Sequence, residues 1–416
     1  MGRTVASVAG PVHGALAMSQ IILDISRLIS RVRHSTPSGV DRVEMAYARG
    51  LLRLYGERLA FAAVHPTGVY GRLKRGMALA YLDELERRWG QEDGGPSQRS
   101  LMSVMPWLAR LWPTRLPRQV GAGRTVYVQV SPHHLTRSEQ VYRILDRENA
   151  RFVCMVHDLI PIEYPEYARP SGAALHRRRM QTLADHADAV IVNSAATGRS
   201  FQPWIERSGR KIVTHVALLG TEPLAQGEQI ATDERPWFVC LGTIEPRKNH
   251  LLLLNLWRDM VATMPERQVP RLVIIGRRGW ENEQVLDMLD RCPALRGHVE
   301  EINGCSDARL ATLLRGARAL LMPSFAEGFG MPVAEALSVG VPVVCSDIAA
   351  HREVGGDAPD YAGPLDGARW QSLILDHARQ GPAWQAQMQR LPVWEQPTWD
   401  THMEIVARAI GDLTEG

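Results

Sequence analysis

The run Glu327-Gly-Phe-Gly-Met-Pro-Val-Ala-Glu335 sets two carboxylates on either side of a glycine-containing turn. Gly328 and Gly330 permit a tight backbone and the close approach of a ligand. Pro332 suits the first position of a helix, where its missing N–H would be unpaired in any case. The free N–H groups of a helix start attract anions, phosphate above all. Carboxylates accept hydrogen bonds from sugar hydroxyls. Glu327 is therefore expected in the loop and Glu335 on the first helical turn, both facing one small volume. That volume suits a phosphate with polyhydroxyl groups attached. Taken alone, the run also reads as a capped turn with two solvated acids.

A second run, Gly242-Thr-Ile-Glu-Pro-Arg-Lys-Asn-His250, directly follows a predicted strand. Arg247 and Lys248 fall in the strand-to-helix loop, on the same edge as the glutamate run. Two adjacent cations can neutralise a diphosphate, arginine through its fork and lysine as a point charge. A solvated basic loop is the alternative for this stretch by itself. Before it, Val156-His-Asp-Leu-Ile-Pro161 ends another apolar strand. His157 offers a ring that both donates and accepts, and nearby negative charge would favour its protonated form. By itself it also reads as a histidine that fixes a turn. Asp158 reads as a turn cap, and Arg177, Arg178 and Arg179 as a solvated helix face.

Together these runs resemble the retaining glycosyltransferases of family four, which have the two-Rossmann GT-B architecture. The similarity takes in Ile275-Gly-Arg-Arg-Gly-Trp280, the stretch from Leu320 to Ala336, Gly340-Val-Pro-Val-Val344 and His351-Arg-Glu-Val-Gly-Gly-Asp-Ala358. The His157 segment is most like members that act on mannose-type donors in building surface polysaccharides. The resemblance implies that Glu327 contacts the donor sugar and Glu335 the ribose hydroxyls. Arg247 and Lys248 would hold the diphosphate, and the backbone of Phe329 to Met331 would meet the sugar or phosphate. His157 would meet the sugar near the reacting centre. Gly39, in Thr36-Pro-Ser-Gly-Val-Asp-Arg-Val-Glu44, resembles the family's glycine loop after the first strand. Asn193-Ser194 would line the same cleft. Many members carry an arginine where Thr243 stands here, and Arg247 is the candidate to supply that charge.

The elements that must position these residues alternate strand and helix nearly throughout, which argues for parallel sheets covered by helices. Strands are predicted at 21–25, 59–64, 125–130, 152–156, 189–192 and 212–216, then at 237–241, 272–275, 298–302, 319–322 and 341–345. Helices are predicted at 39–55, 172–187 and 398–412. At 416 residues the chain exceeds a usual single core. The reading is an α/β protein with two Rossmann-like domains facing across a cleft. Residues 1–20 form a disordered extension (Met18 the expected true start), 21–222 an acceptor domain, and 237–393 a nucleotide-sugar donor domain. Residues 394–416 form a helix crossing back to the first domain, in which Trp399 serves packing.

The net charge of +3 is too small to argue for nucleic acid. Five scattered cysteines, with no CxxC pair, fit a reducing cytosol. No two aspartates stand two apart and no Cys/His cluster has zinc spacing, so no metal and no cofactor are expected, and turnover should survive chelator. Residues 99–124 hold five arginines and no acid, interleaved with Trp107 and Trp112. They resemble an interfacial segment for anionic lipid headgroups; a lid with a basic rim is the alternative.

The function implied is transfer of a hexose, mannose favoured and GDP-mannose the preferred donor, to a glycan or lipid-linked glycan. The setting would be surface polysaccharide or lipopolysaccharide synthesis, in the cytoplasm or peripheral on the inner face of its membrane. The rivals are a nucleotide-sugar epimerase on the same scaffold and a non-catalytic nucleotide-sugar-binding subunit. A nicotinamide dehydrogenase fits less well, since Gly121-Ala-Gly123 precedes a strand and no GxGxxG opens a helix.

Overall fold

Runs such as Ile21-Ile-Leu23, Phe152-Val-Cys-Met-Val156 and Val343-Val-Cys345 are apolar at consecutive positions and buried on both faces. Strands of that kind belong in parallel sheets covered on two sides. A computed structural model describes residues 19–34, 37–89, 100–114, 124–221 and 235–415. It contains two such sheets.

The first sheet comprises β1 (Gln20–Asp24), β2 (Leu59–Val64), β3 (Tyr70–Arg72), β4 (Thr125–Gln129), β5 (Ala150–Val156), β6 (Ala189–Val192) and β7 (Val213–Val216). Their order is β3-β2-β1-β4-β5-β6-β7, parallel except where β3 runs antiparallel to β2. The second comprises β8 (Trp237–Leu241), β9 (Arg271–Ile275), β10 (Val299–Ile302), β11 (Leu320–Met322), β12 (Val343–Ser346) and β13 (Asp360–Ala362). Its order is β10-β9-β8-β11-β12-β13, parallel throughout. In both, the strand order reverses beside the first strand, and ligands of such sheets bind beyond the carboxyl ends of the strands at that reversal. In the second sheet the loops after β8 and β11 meet there. They are the two runs singled out above.

Two edge strands were not predicted. β3 and β13 are three residues each and pair on one side only, so neither carries the apolar run that marks a buried strand. Gln20 lies within β1 and Ser19 is buried, so the expected extension through residue 20 is too long; residues 1–18 lie outside the described residues. The same holds for 222–234, within the stretch 222–236 whose polar, Pro- and Gly-containing sequence reads as the linker between the domains, and for 99 and 115–123 of the basic segment. The described part of that segment is a helix, Leu101–Arg110, with Met102 and Met105 exposed.

The helix Trp399–Glu415 packs on the helix Gly39–Tyr55 of the first domain. His402 fixes it there: Nδ1 lies 3.0 Å from the Leu218 carbonyl and Nε2 lies 2.8 Å from the Tyr47 hydroxyl. Gly220 admits the backbone of Trp399 where any Cβ would overlap it. Cys154, Cys240 and Cys345 are buried in strands and free. No helix among the described residues is long and apolar enough to cross a membrane.

Candidate active site

The β8 loop is shaped by close backbone approach. Gly242 has φ 140°, and a Cβ on Gly276 would overlap its carbonyl. The chain then makes a short 3-10 turn at Pro246–Lys248, and Asn249 takes the left-handed conformation, φ 56°. Asn249 donates its side-chain amide to the carbonyls of Pro323 (3.1 Å) and Pro364 (2.8 Å). The Arg247 carbonyl accepts from the Phe325 N–H at 2.8 Å. The loops after β8 and β11 thus form one unit.

At its centre lies the Glu327 carboxylate, buried. One oxygen accepts from Lys248 Nζ at 2.6 Å and from Ser324 Oγ at 2.8 Å. The other accepts from Arg247 Nη1 at 2.6 Å, while Arg247 Nε contacts Glu245 at 2.6 Å. Burial opposes ionisation of Glu327, but Arg247 and Lys248 outweigh it and hold its carboxyl well below the usual carboxylate range. Burial raises the Glu245 carboxyl, with Arg247 and Lys248 opposing. Both cations are therefore engaged by acids of their own domain. Lys248 still brings three N–H groups, and an ammonium can share them between a carboxylate and a phosphate.

The helix after the turn, Met331–Ser338, starts from Gly330 in the left-handed region, φ 98°. Pro332 is its second residue, and Glu335 its fifth. Glu335 thus lies on the second turn, one turn deeper than expected. Its half-buried carboxylate has no hydrogen-bond partner among the described residues. Burial raises its pKa; Arg42 opposes, Asp307 adds to the rise, and Lys248 opposes. Arg42 comes from the first domain and pairs with Asp307 through two bonds of 2.7 and 3.1 Å. Phe329 is a core side chain, 4% exposed, so only its backbone faces the turn. Thr243 is exposed at the rim, its methyl beside Gly279.

The first domain closes over this unit. Gly328 meets the His157 backbone rather than open space, since a Cβ there would overlap the His157 carbonyl oxygen. The Gly328 carbonyl accepts from Ser194 Oγ at 2.8 Å. Gly39 faces Met331, whose sulfur lies 3.5 Å from the place of a Cβ on Gly39. Glu353 reaches across to cap the helix Ala195–Ser208, accepting from the N–H groups of Ala195 (2.5 Å) and Ala196 (3.3 Å).

His157 Nε2 lies 2.8 Å from the Val130 carbonyl, so Nε2 carries the proton and Nδ1 is the acceptor in the neutral ring. Burial lowers its pKa more than the Val130 bond and Asp158 raise it. The expected protonated form gives way to a neutral imidazole. Asp158 caps its turn through the Ile160 N–H at 3.1 Å.

Sequence reasoning passed over Glu245, Ser324, Glu353 and His351. Glu245 stood two residues before Arg247 in a quoted run, and that alternation of charge was its signal. His351 is fully buried with Nδ1 2.9 Å from the Ser346 carbonyl, and its Cδ2 lies 3.0 Å from the place of a Cβ on Gly330. Among the described residues no group of three His, Cys, Asp or Glu side chains could hold a metal ion.

Residues 225–360 match the family model "Glycosyl transferases group 1". The chain is 30% identical over 263 residues to the serotype-specific mannosyltransferase WbdA of Escherichia coli, covering 56% of this chain and 31% of that protein. It is 30% identical over 226 residues to the O-antigen chain mannosyltransferase B of Escherichia coli, covering 52% of this chain and 58% of that one. The matched region thus spans about a third to somewhat over half the length of these curated relatives. Anabaena HepE, solved in complex with UDP, superposes with a TM-score of 0.60 at 15% identity, covering 95% of this chain and 100% of that one. With a second Rossmann-like sheet that carries the matched motifs and a first that closes on them, the chain has the GT-B fold, and its residues 225–360 match the group 1 glycosyl transferases.

Proposed function

We propose that the chain transfers a hexose, mannose favoured, from a nucleotide diphosphate sugar to a glycan or lipid-linked glycan, with retention at the anomeric carbon. The observation that carries this reading is the Glu245–Arg247–Glu327–Lys248 network at the strand-order reversal of the second sheet, opposed by His157 and Gly39 from the first. A nucleotide sugar brings its own leaving group, so the protein has to stabilise the charge that grows on the departing diphosphate. Lys248, Arg247 and the N–H groups at the start of Met331–Ser338 are suited to that. The bond from the anomeric carbon to the diphosphate oxygen breaks, the bond to the acceptor oxygen forms on the same face, and the acceptor proton leaves on the phosphate. His157, neutral and held by Val130, would orient a sugar hydroxyl. Glu335, with no partner of its own among the described residues, would accept from the ribose. Mannose is favoured because the relatives named above are mannosyltransferases and because the His157 segment resembles members of that kind.

The test is a thermal-shift screen with GDP and UDP, followed by turnover of the matching sugar nucleotide in chelator, with and without an acceptor extract. GDP is expected to raise Tm, about 2.7 kcal/mol of added stability at a hundred times Kd. Glu335→Gln should bind it roughly tenfold more weakly, the loss of a charge-assisted hydrogen bond. Product from donor alone would assign an epimerase, and binding with no turnover in any extract a non-catalytic subunit.

The acceptor reading brings a second expectation, contact with an anionic membrane through 99–124, supported by Met102, Met105 and the Arg110–Trp107 pair on its described helix. The protein should float with phosphatidylglycerol vesicles and not with phosphatidylcholine vesicles; recovery in the bottom fraction with both would sink it.

A further inference from the structure

A cavity of about 480 Å³ lies beyond the carboxyl ends of β2 and β4. This is the strand-order reversal of the first sheet, the counterpart of the donor loops in the second. His65, His133, His134, Arg137 and Arg179 line it, and no carboxylate does. His65 is 5% exposed. Its Nδ1 accepts from the Thr67 N–H at 3.3 Å, so Nε2 carries the ring proton, and that buried N–H has no partner among the described residues. His134 Nε2 and Arg179 Nε are likewise buried and unpartnered. Arg179 is half-buried on the helix Gly172–His186, and among the described residues neither it nor Arg137 forms an ion pair. The sequence reading of Arg179 as part of a solvated face is thereby corrected: Arg177 and Arg178 are exposed, while Arg179 turns inward.

Buried donors without acceptors are costly unless something supplies the missing oxygens. Burial, then mutual repulsion, lowers the His133 pKa to about 4, and burial lowers that of His134, so both rings are neutral, each with one N–H to offer, beside two cations. Asp24, the nearest buried acid on β1, is already committed to the Tyr127 hydroxyl and to the Ser26 N–H at 2.8 Å. The cavity also adjoins the first-domain side of the transfer site: the Val130 carbonyl, two residues before Pro132 of its lining, lies 2.8 Å from His157 Nε2.

We propose that this cavity binds a phosphate group carried by the acceptor, with Arg179 and Arg137 on its charge and His65 and His134 donating to its oxygens. The proposal rests on the transferase reading only for the word acceptor; the binding itself needs no turnover. A sugar phosphomonoester and the diphosphate of a lipid carrier present the same oxyanion chemistry.

Calorimetric titration of the full chain with methyl α-mannoside, methyl α-mannoside 6-phosphate, and mannosyl diphosphate on a short soluble prenol tests it. At least one phosphorylated probe should bind ten times or more tighter than the neutral glycoside, and which of the two does so identifies the source. Arg179→Gln should abolish that preference while leaving the nucleotide-induced Tm shift within a degree of wild type. Arg179→Lys should restore part of it. Equal binding of neutral and phosphorylated probes, or a preference unchanged in Arg179→Gln, overturns the proposal. If the phosphate preference holds while no sugar is ever transferred, the site stands and the transferase reading falls.

Discussion

Lys248→Ala should lower turnover by roughly 10²- to 10³-fold, about 3–4 kcal/mol of lost transition-state stabilisation, by analogy with the removal of a single charge-stabilising donor. The structure adds a second expected effect. Lys248 is one of two cations holding the buried Glu327 carboxylate, at 2.6 Å. Removing one partner of a buried pair costs on the order of 3–5 kcal/mol, because the remaining charge stays buried. Here Arg247 and Ser324 remain on Glu327, so the lower end applies. Glu327 is held below its unfolded pKa, so it contributes stability that is present above the unfolded value and lost as pH falls through the folded one. Without Lys248 the folded pKa rises, and acid unfolding should begin at higher pH. The two effects separate in the double variant Lys248→Met with Glu327→Gln. With no orphaned charge, its melting temperature should recover most of the loss, while its turnover stays at the level of the single variant. If turnover recovers together with Tm, Lys248 is a structural partner and not part of the transfer chemistry.

Gly328→Ala should be nearly as damaging to turnover, for a different reason. The position looks permissive, in a glycine-containing loop. Its missing side chain, however, is where the backbone of the other domain sits. A Cβ there would overlap the His157 carbonyl oxygen and lie 3.1 Å from Asp158 Cβ. The His157 carbonyl cannot retreat easily, being held by Asn193 Nδ2 at 2.9 Å. The domains must part by something near an ångström, and the Ser194 to Gly328 bond and the Glu353 cap across the same seam weaken with them. A displacement of that size between reacting groups can cost about 10² in rate. Neither sheet is touched, so Tm should change by only a few degrees. Small-angle scattering should report a larger radius of gyration than for the parent protein. Turnover within twofold of the parent would show that the seam is not closed during transfer.

Much of the architecture was legible because parallel strands buried on both faces leave contiguous apolar runs. Leu59–Val64, Ala189–Val192 and Trp237–Leu241 fall where the pattern put them. The helix Gly39–Tyr55 follows Ser38, whose side chain and Asp41 make a reciprocal cap, a local signal of the kind sequence carries well. Tyr70–Arg72 was missed because a three-residue edge strand is specified by its partner β2 rather than by its own composition. The start of Met331–Ser338 was placed one residue late, since Gly330 caps the helix and pushes Pro332 to the second position. That single residue moved Glu335 from the first turn to the second.

The sequence alone determined which loops to single out as the candidate site, because a glycine turn, a helix start and a pair of cations are properties of neighbouring residues. What only the tertiary structure decided is which charge answers which. Lys248 and Glu327 stand 79 residues apart and meet at 2.6 Å, which leaves the expected diphosphate cations already paired. Arg179 turns into a cavity while Arg177 and Arg178 on the same helix face water. Such outcomes depend on distances between elements brought together by packing, and no spacing along the chain encodes them.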